Sequence, residues 1–149
     1  MFSDNYEQRQ TALGSAEKAR DPNLTDNELA SMARSDELMV RVAVGERPQT
    51  PLTSLLILAA DEAPAVRAAV GRNPRADIPI EVRENLAKDK SPEVLHALIR
   101  CESMPEAVLS KLTRSFNRDV AHAAKTRLKE RKRSGGASPA VGQVGLASS

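Results

Sequence analysis

The 149-residue chain carries 22 lysines and arginines against 20 aspartates and glutamates, with one tyrosine, two phenylalanines, no tryptophan and one cysteine. One cysteine excludes an internal disulfide and a cysteine-cluster metal site and suits a reducing compartment, and no apolar run approaches the roughly 18 residues of a membrane span. With so few aromatics, Ala, Leu and Val must fill the interior, which favours closely stacked helices over a sheet core.

The N-terminus "MFSDNYEQRQ" has neither the basic start nor the apolar centre of a secretory signal, so a cytoplasmic protein is expected. Residues 1–20 read as an N-terminal helical cap, in which polar "YEQRQ" and "AEKAR" cover an otherwise open first unit.

From residue 21 onward the chain repeats itself. Val40 recurs as Val66, Val94 and Val120, in steps of 26, 28 and 26. Seven residues before each stand Ala33, Ala59, Ala87 and Thr113, preceded by Met32, Leu58, Leu86 and Leu112. Further upstream lie Thr25, Pro51, Pro79 and Pro105, and Pro22, Pro48, Pro74 and Glu102 mark the joints. The extra pair in the third unit falls at Ala76-Asp77, where a loop absorbs it. Such fixed-period similarity predicts a stack of about four units.

Each unit contains two short helical patterns. The first opens near the proline, expected at a first helical position because its missing N–H has no partner there anyway. It then shows Leu29/Met32/Ala33, Leu55/Leu58/Ala59 or Leu109/Leu112/Thr113 at i, i+3, i+4. The third unit has Arg83 in the leucine slot, with Val82 as the expected substitute. The second helix presents Val40/Ala43/Val44, Val66/Ala69/Val70, Val94/Ala97/Leu98 and Val120/Ala123/Ala124. "GRNP" closes it in the second unit. No strand pattern is present, and pairs this short must stack on neighbours to bury their apolar faces. The predicted domain is a two-helix repeat array over residues 21–133 with a basic C-terminal helix. The uncharged tail "SGGASPAVGQVGLASS", residues 134–149, is expected to be disordered.

"LAADEAPAVRAAVGRNP", Leu58 to Pro74, and "MARSDELMVRVAVGERP", Met32 to Pro48, resemble the variant leucine-rich repeat, and the likeness extends from Pro22 to Arg131. That resemblance implies an all-α, right-handed superhelical solenoid of alternating α- and 3₁₀-helices, akin to HEAT and armadillo arrays. Some members carry an iron–sulfur cluster on a Cys-rich N-terminal segment. No such segment is present, so no cofactor is carried over.

No phosphate loop, nucleophile elbow or paired-histidine zinc helix occurs, and the carboxylates form no recognisable pair, so a non-catalytic protein is expected. Cys101 falls on a core-facing position and reads as a buried hydrophobe. His96 and His122, at equivalent positions of consecutive units, are expected side by side on a partner surface, too few for a metal. Arg41 and Arg67 are expected to pair with nearby acids, among them Asp36, Glu37, Asp61 and Glu62.

Two features point to binding. "VLHALI" is apolar nearly all round, so either it is buried on two sides or Leu95, His96 and Ile99 centre an exposed groove that continues through Val42, Ala68 and His122. Such a groove would take a protein or peptide. Charge is also uneven: 11 acids against 6 bases in residues 1–64, and 9 against 16 in residues 65–149. Lys125, Arg127, Lys129, Arg131, Lys132 and Arg133 are the bases of a second expectation, nucleic-acid phosphates held by the last helix. The alternative is a solvated helix end whose bases suit the macrodipole.

Overall fold

The computed structural model describes the backbone of residues 14–147 and the side chains of residues 14–135. All regular structure among the described residues is helical. After a helical stretch at 14–18 come α1 (Asp26–Met32), α2 (Leu38–Glu46), α3 (Leu52–Ala59), α4 (Pro64–Gly71), α5 (Ile80–Leu86), α6 (Pro92–Arg100), α7 (Glu106–Leu112) and α8 (Arg118–Ala147). Of the expected cap, "YEQRQ" lies outside the described residues, while Ala16 and Ala19 are buried and Ala19 joins the core.

Helix starts follow local chemistry. Thr25 and Glu28 close a capping box on α1, each side chain accepting from the other's backbone N–H. Pro51, Pro79 and Pro105 stand one position earlier than expected. They are the N-caps of α3, α5 and α7, with extended ψ near 140°, and their carbonyls accept the first helical bonds. The prolines in the first turn are instead Pro64 and Pro92, opening α4 and α6. At the other end, α8 continues to Ala147 as helix, through the segment whose composition predicts disorder. It is the continuation of a helix whose earlier turns are anchored by Val120, Ala124 and Leu128, and propagation from a formed helix is far easier than nucleation.

The even-numbered helices pack in series, α2 on α4, α4 on α6 and α6 on α8. The odd-numbered helices lie against them, with α3 also touching α5. Both α4 and α6 are therefore enclosed by two even and two odd helices. Val40, Val66, Val94 and Val120 are all buried in one core. Gly45 and Gly71 keep negative φ, so they serve close approach rather than a left-handed turn. A Cβ on Gly45 would stand 3.1 Å from Ala69 Cβ, and one on Gly71 3.5 Å from Ala97 Cβ. The second distance is ordinary contact. Gly71→Ala is therefore expected to stabilise the protein by about 0.5–1 kcal/mol through helix propensity. Gly45→Val, which forces bulk into the tighter approach, should lower the thermal midpoint; urea and thermal unfolding of both variants check this.

Two ladders of polar bonds join neighbouring helix pairs. In the first, a side chain reaches back to the carbonyl at the equivalent position of the preceding pair. Arg47 donates to the Asp21 carbonyl, Asn73 to that of Arg47 and the Cys101 thiol to that of Asn73; the Cys101 carbonyl accepts instead from Arg131, four residues beyond the corresponding Arg127. In the second, Arg41 binds Asp61 at 2.9 Å and Arg67 binds Asp89 at 2.7 Å. Each arginine also donates to a carbonyl six residues before it, Ser35 or Asp61. Asp61 was an expected partner; Asp89 was not. These pairs are mostly screened from solvent and link successive helix pairs, so they outweigh the surface bridges the sequence suggests. Ser35, Asp61, Asp89 and Ser115 share one repeat position, and each accepts the N–H two residues on.

Burial works to raise the Asp89 carboxyl, but the bonds from Arg67 and the Ser91 N–H hold it below the usual carboxylate range. Bonding to Asp89 likewise raises Arg67. A depressed folded value means the stabilisation is complete above the unfolded value near 4 and is lost as pH falls through the folded one. Asp89→Asn is expected to cost about 1–3 kcal/mol at neutral pH. The deficit relative to the wild type should shrink below about pH 4. Urea unfolding across that range is the measurement.

Arg83 does not yield its slot to Val82. It is buried at 3% exposure, where Leu29, Leu55 and Leu109 stand in the other units, and Val82 is only half-buried beside it. Its guanidinium donates to the carbonyls of Arg75 and Ser103 and to Ser103 Oγ. Arg75 precedes the inserted Ala76-Asp77 pair and binds Asp77 at 2.7 Å. The longer loop and the buried arginine thus belong together, since the guanidinium satisfies a carbonyl that the loop brings inward.

Candidate functional site

The apolar surface expected around "VLHALI" is interior. Leu95 is 7% exposed, Ile99 5%, Val42 9% and Ala68 0%. The cause is the enclosure of the even helices: α6 has α4 and α8 on its flanks and α5 and α7 behind it. Leu95 sits where Arg41 and Arg67 make their ion pairs in the earlier units, and the corresponding acid, Asp61 or Asp89, is Ser115 in the next. An apolar side chain has replaced the charged pair and is buried more deeply than either arginine. Small side chains along this face serve close packing. The notion of an exposed groove centred on Leu95 and Ile99 is set aside.

His96 and His122 lie elsewhere. They line one open groove between α6 and α8, about 450 Å³ in volume, together with Ile99, Arg100, Ala123, Thr126, Arg127 and Glu130. Arg100 follows His96 by four residues and Thr126 follows His122 by four, so each pair shares a helix face. Positions 100 and 126 are 26 residues apart, the same spacing as His96 and His122 and as Val94 and Val120. Arg100, Thr126 and Glu130 were missed in the sequence, although the four-residue spacing from each histidine marks the first two. Ile99 contributes a buried floor, and Arg127 and Glu130 form a pair at 3.6 Å. Among the described residues no three His, Cys, Asp or Glu side chains gather as a metal site. Cys101 is buried, with its sulfur 3.3 Å from the Asn73 carbonyl oxygen.

The six basic candidates of the last helix divide. Lys125, Lys129, Lys132 and Arg133 are exposed. They follow i, i+4, i+7, i+8 and so form one stripe, which Arg118 and His122 extend toward the start of α8. Arg131 is not part of it. Its guanidinium donates to the carbonyls of Cys101, Glu102 and Met104, ending the first ladder. Burial, then the neighbouring Arg127 charge, lowers its pKa. Arg127 lines the groove and pairs with Glu130 three residues on in the same helix. Arg131 is therefore an internal strut rather than an anion ligand, and the Arg127 charge is already met by a carboxylate. Phe116, just before α8, is fully exposed.

A second groove, about 310 Å³, runs between α3 and α5 past Leu56, Ala59, Val82, Asn85 and Leu86, with no cation on its walls. Leu56, Ile57 and Ile80 are the exposed apolar residues of that layer. No protein-family model matches the chain, and no match is found among curated proteins or solved structures.

Proposed function

We propose that the chain is a non-catalytic protein- or peptide-binding module, an adaptor built as a right-handed solenoid of four two-helix units of the variant leucine-rich repeat type. The recurrence of the same bonds at equivalent positions supports the repeat reading: Arg41–Asp61 with Arg67–Asp89, and Arg47, Asn73 and Cys101 on successive carbonyls. The observation that carries the binding reading is the groove between α6 and α8, an open cleft whose two walls are supplied by adjacent units. Stacked units of this kind hold such a cleft rigid before the partner arrives, which lowers the ordering cost of binding. Peptide display on the folded protein, followed by hydrogen exchange of the protein with and without a selected peptide, tests it. Protection is expected in α6 and in α8 up to Arg133; a selection that enriches no peptide overturns it.

The exposed Lys125/Lys129/Lys132/Arg133 stripe favours a second reading, contact with nucleic-acid phosphates. Four phosphate contacts would give a logarithmic salt slope of about −3 to −4. A flat salt dependence of oligonucleotide binding, or none measurable at low salt, removes that reading.

A further inference from the structure

We propose that the groove between α6 and α8 seats an acidic peptide segment with interspersed apolar side chains, a proposal that rests on the peptide-binding reading above. The groove combines an apolar floor, Ile99 and Ala123, with cationic edges. On the α6 edge Arg100 is exposed, and no described carboxylate lies within ion-pair distance of it. On the α8 edge Thr126 faces the groove, and Lys129 follows it by three residues, about 60° round the helix. Lys129 also stands about 20° round the helix from His122, beside the groove edge, with Lys125 about 40° further round; neither lines the groove itself. The one acid inside, Glu130, is held by Arg127. Net charge at the mouth is positive while the base is apolar.

That combination selects among polyanions. A peptide places carboxylates on Arg100 and Lys129 while a leucine- or valine-sized side chain rests on Ile99 and Ala123. A nucleic-acid strand gains little from this floor, because base stacking relies chiefly on Phe, Tyr and Trp faces and none of these lines the groove, whose only rings are the two imidazoles. Charge at the rim steers the partner and rejects basic segments; the floor supplies the contact that outlasts salt.

Fluorescence anisotropy with three labelled probes tests this: a peptide alternating Glu or Asp with Leu, its Gln/Asn counterpart, and a single-stranded oligonucleotide of equal charge. Expected is binding of the acidic peptide at physiological salt, weakened about tenfold or more in the amide counterpart and in Arg100→Glu. Lys125→Glu with Lys129→Glu should weaken it several-fold, and Leu56→Asp on the opposite layer should not. Circular dichroism confirms the fold of each variant, and Arg100→Gln stands in if Arg100→Glu does not fold. Equal binding of the amide peptide, indifference to Arg100 substitution, or displacement of the acidic peptide by the oligonucleotide overturns the proposal. Selected peptides that are neutral or basic would overturn it while leaving the module reading intact; failure of every peptide would remove both.

Discussion

Leu95→Asp, alone or with Ile99→Asp, is expected to unfold the protein rather than disable a binding surface. Leu95 is buried at the sequence position that corresponds to Arg41 and Arg67, and Ser115 stands where their aspartates do, so the ion pair of those positions is missing here. The substitution removes a buried leucine, worth about 2–3 kcal/mol in transfer alone. It also asks a carboxylate to leave water without a partner, for a combined cost of about 4 kcal/mol or more. That is a large share of the roughly 5–15 kcal/mol by which small domains are stable, and most of it at the lower end. The readout is the helical circular dichroism signal during thermal unfolding. A variant that keeps both its spectrum and its midpoint would place Leu95 on the surface and restore the apolar groove.

That expectation runs opposite to one reading of the sequence, and the reason is physical. Periodicity located the core-facing Val94, Ala97 and Leu98 because their partners repeat at fixed spacing. It left Leu95 and Ile99 undecided, because what covers them is set by α5, α7 and α8 together and no local pattern records how closely three helices converge. The same limit applies to Arg131. Its carbonyl partners are 27 to 30 residues upstream, and in the sequence it is one more base in "KTRLKERKR". By contrast, that His96 and His122 share one groove was legible, since they stand 26 residues apart, the spacing of the buried Val94 and Val120. Their neighbours Arg100 and Thr126 were one helical turn from being read the same way. The prolines were placed one residue late because an extended N-cap and a first helical residue are equally suited to a missing N–H. Arg83 in a leucine slot signalled a departure, but its compensation came from the inserted loop and Ser103, which only the folded chain brings together.

The first polar ladder carries the second large effect. Asn73 is 1% exposed and its amide nitrogen donates to the carbonyls of Gly45 and Arg47, at 2.8 and 3.0 Å. Its amide oxygen accepts from the Arg75 N–H, and its own carbonyl accepts from Cys101. One side chain therefore satisfies the end of α2 and fixes the loop that leads to α5. Asn73→Ala removes the side-chain donor from the Gly45 and Arg47 carbonyls, of which Arg47 keeps the Thr50 N–H, and leaves the Arg75 N–H without its acceptor; it is expected to cost about 2–4 kcal/mol. Asn73→Asp keeps the shape but turns a donor into an oxygen aimed at two carbonyl oxygens, so at neutral pH it should cost at least as much as the alanine. The carboxyl it introduces would have a folded pKa above the unfolded value near 4, since burial and the facing carbonyls favour its protonated form. Its penalty is then largest above the raised value and shrinks as pH falls through it, because a protonated carboxyl again donates to one carbonyl. Urea unfolding of the wild type and both variants at neutral and acid pH measures this directly. The gap between Asn73→Asp and the wild type should narrow in acid, while the gap for Asn73→Ala stays constant. Parallel gaps at both pH values would mean that Asn73 acts through its shape alone and that the ladder is not what couples one helix pair to the next.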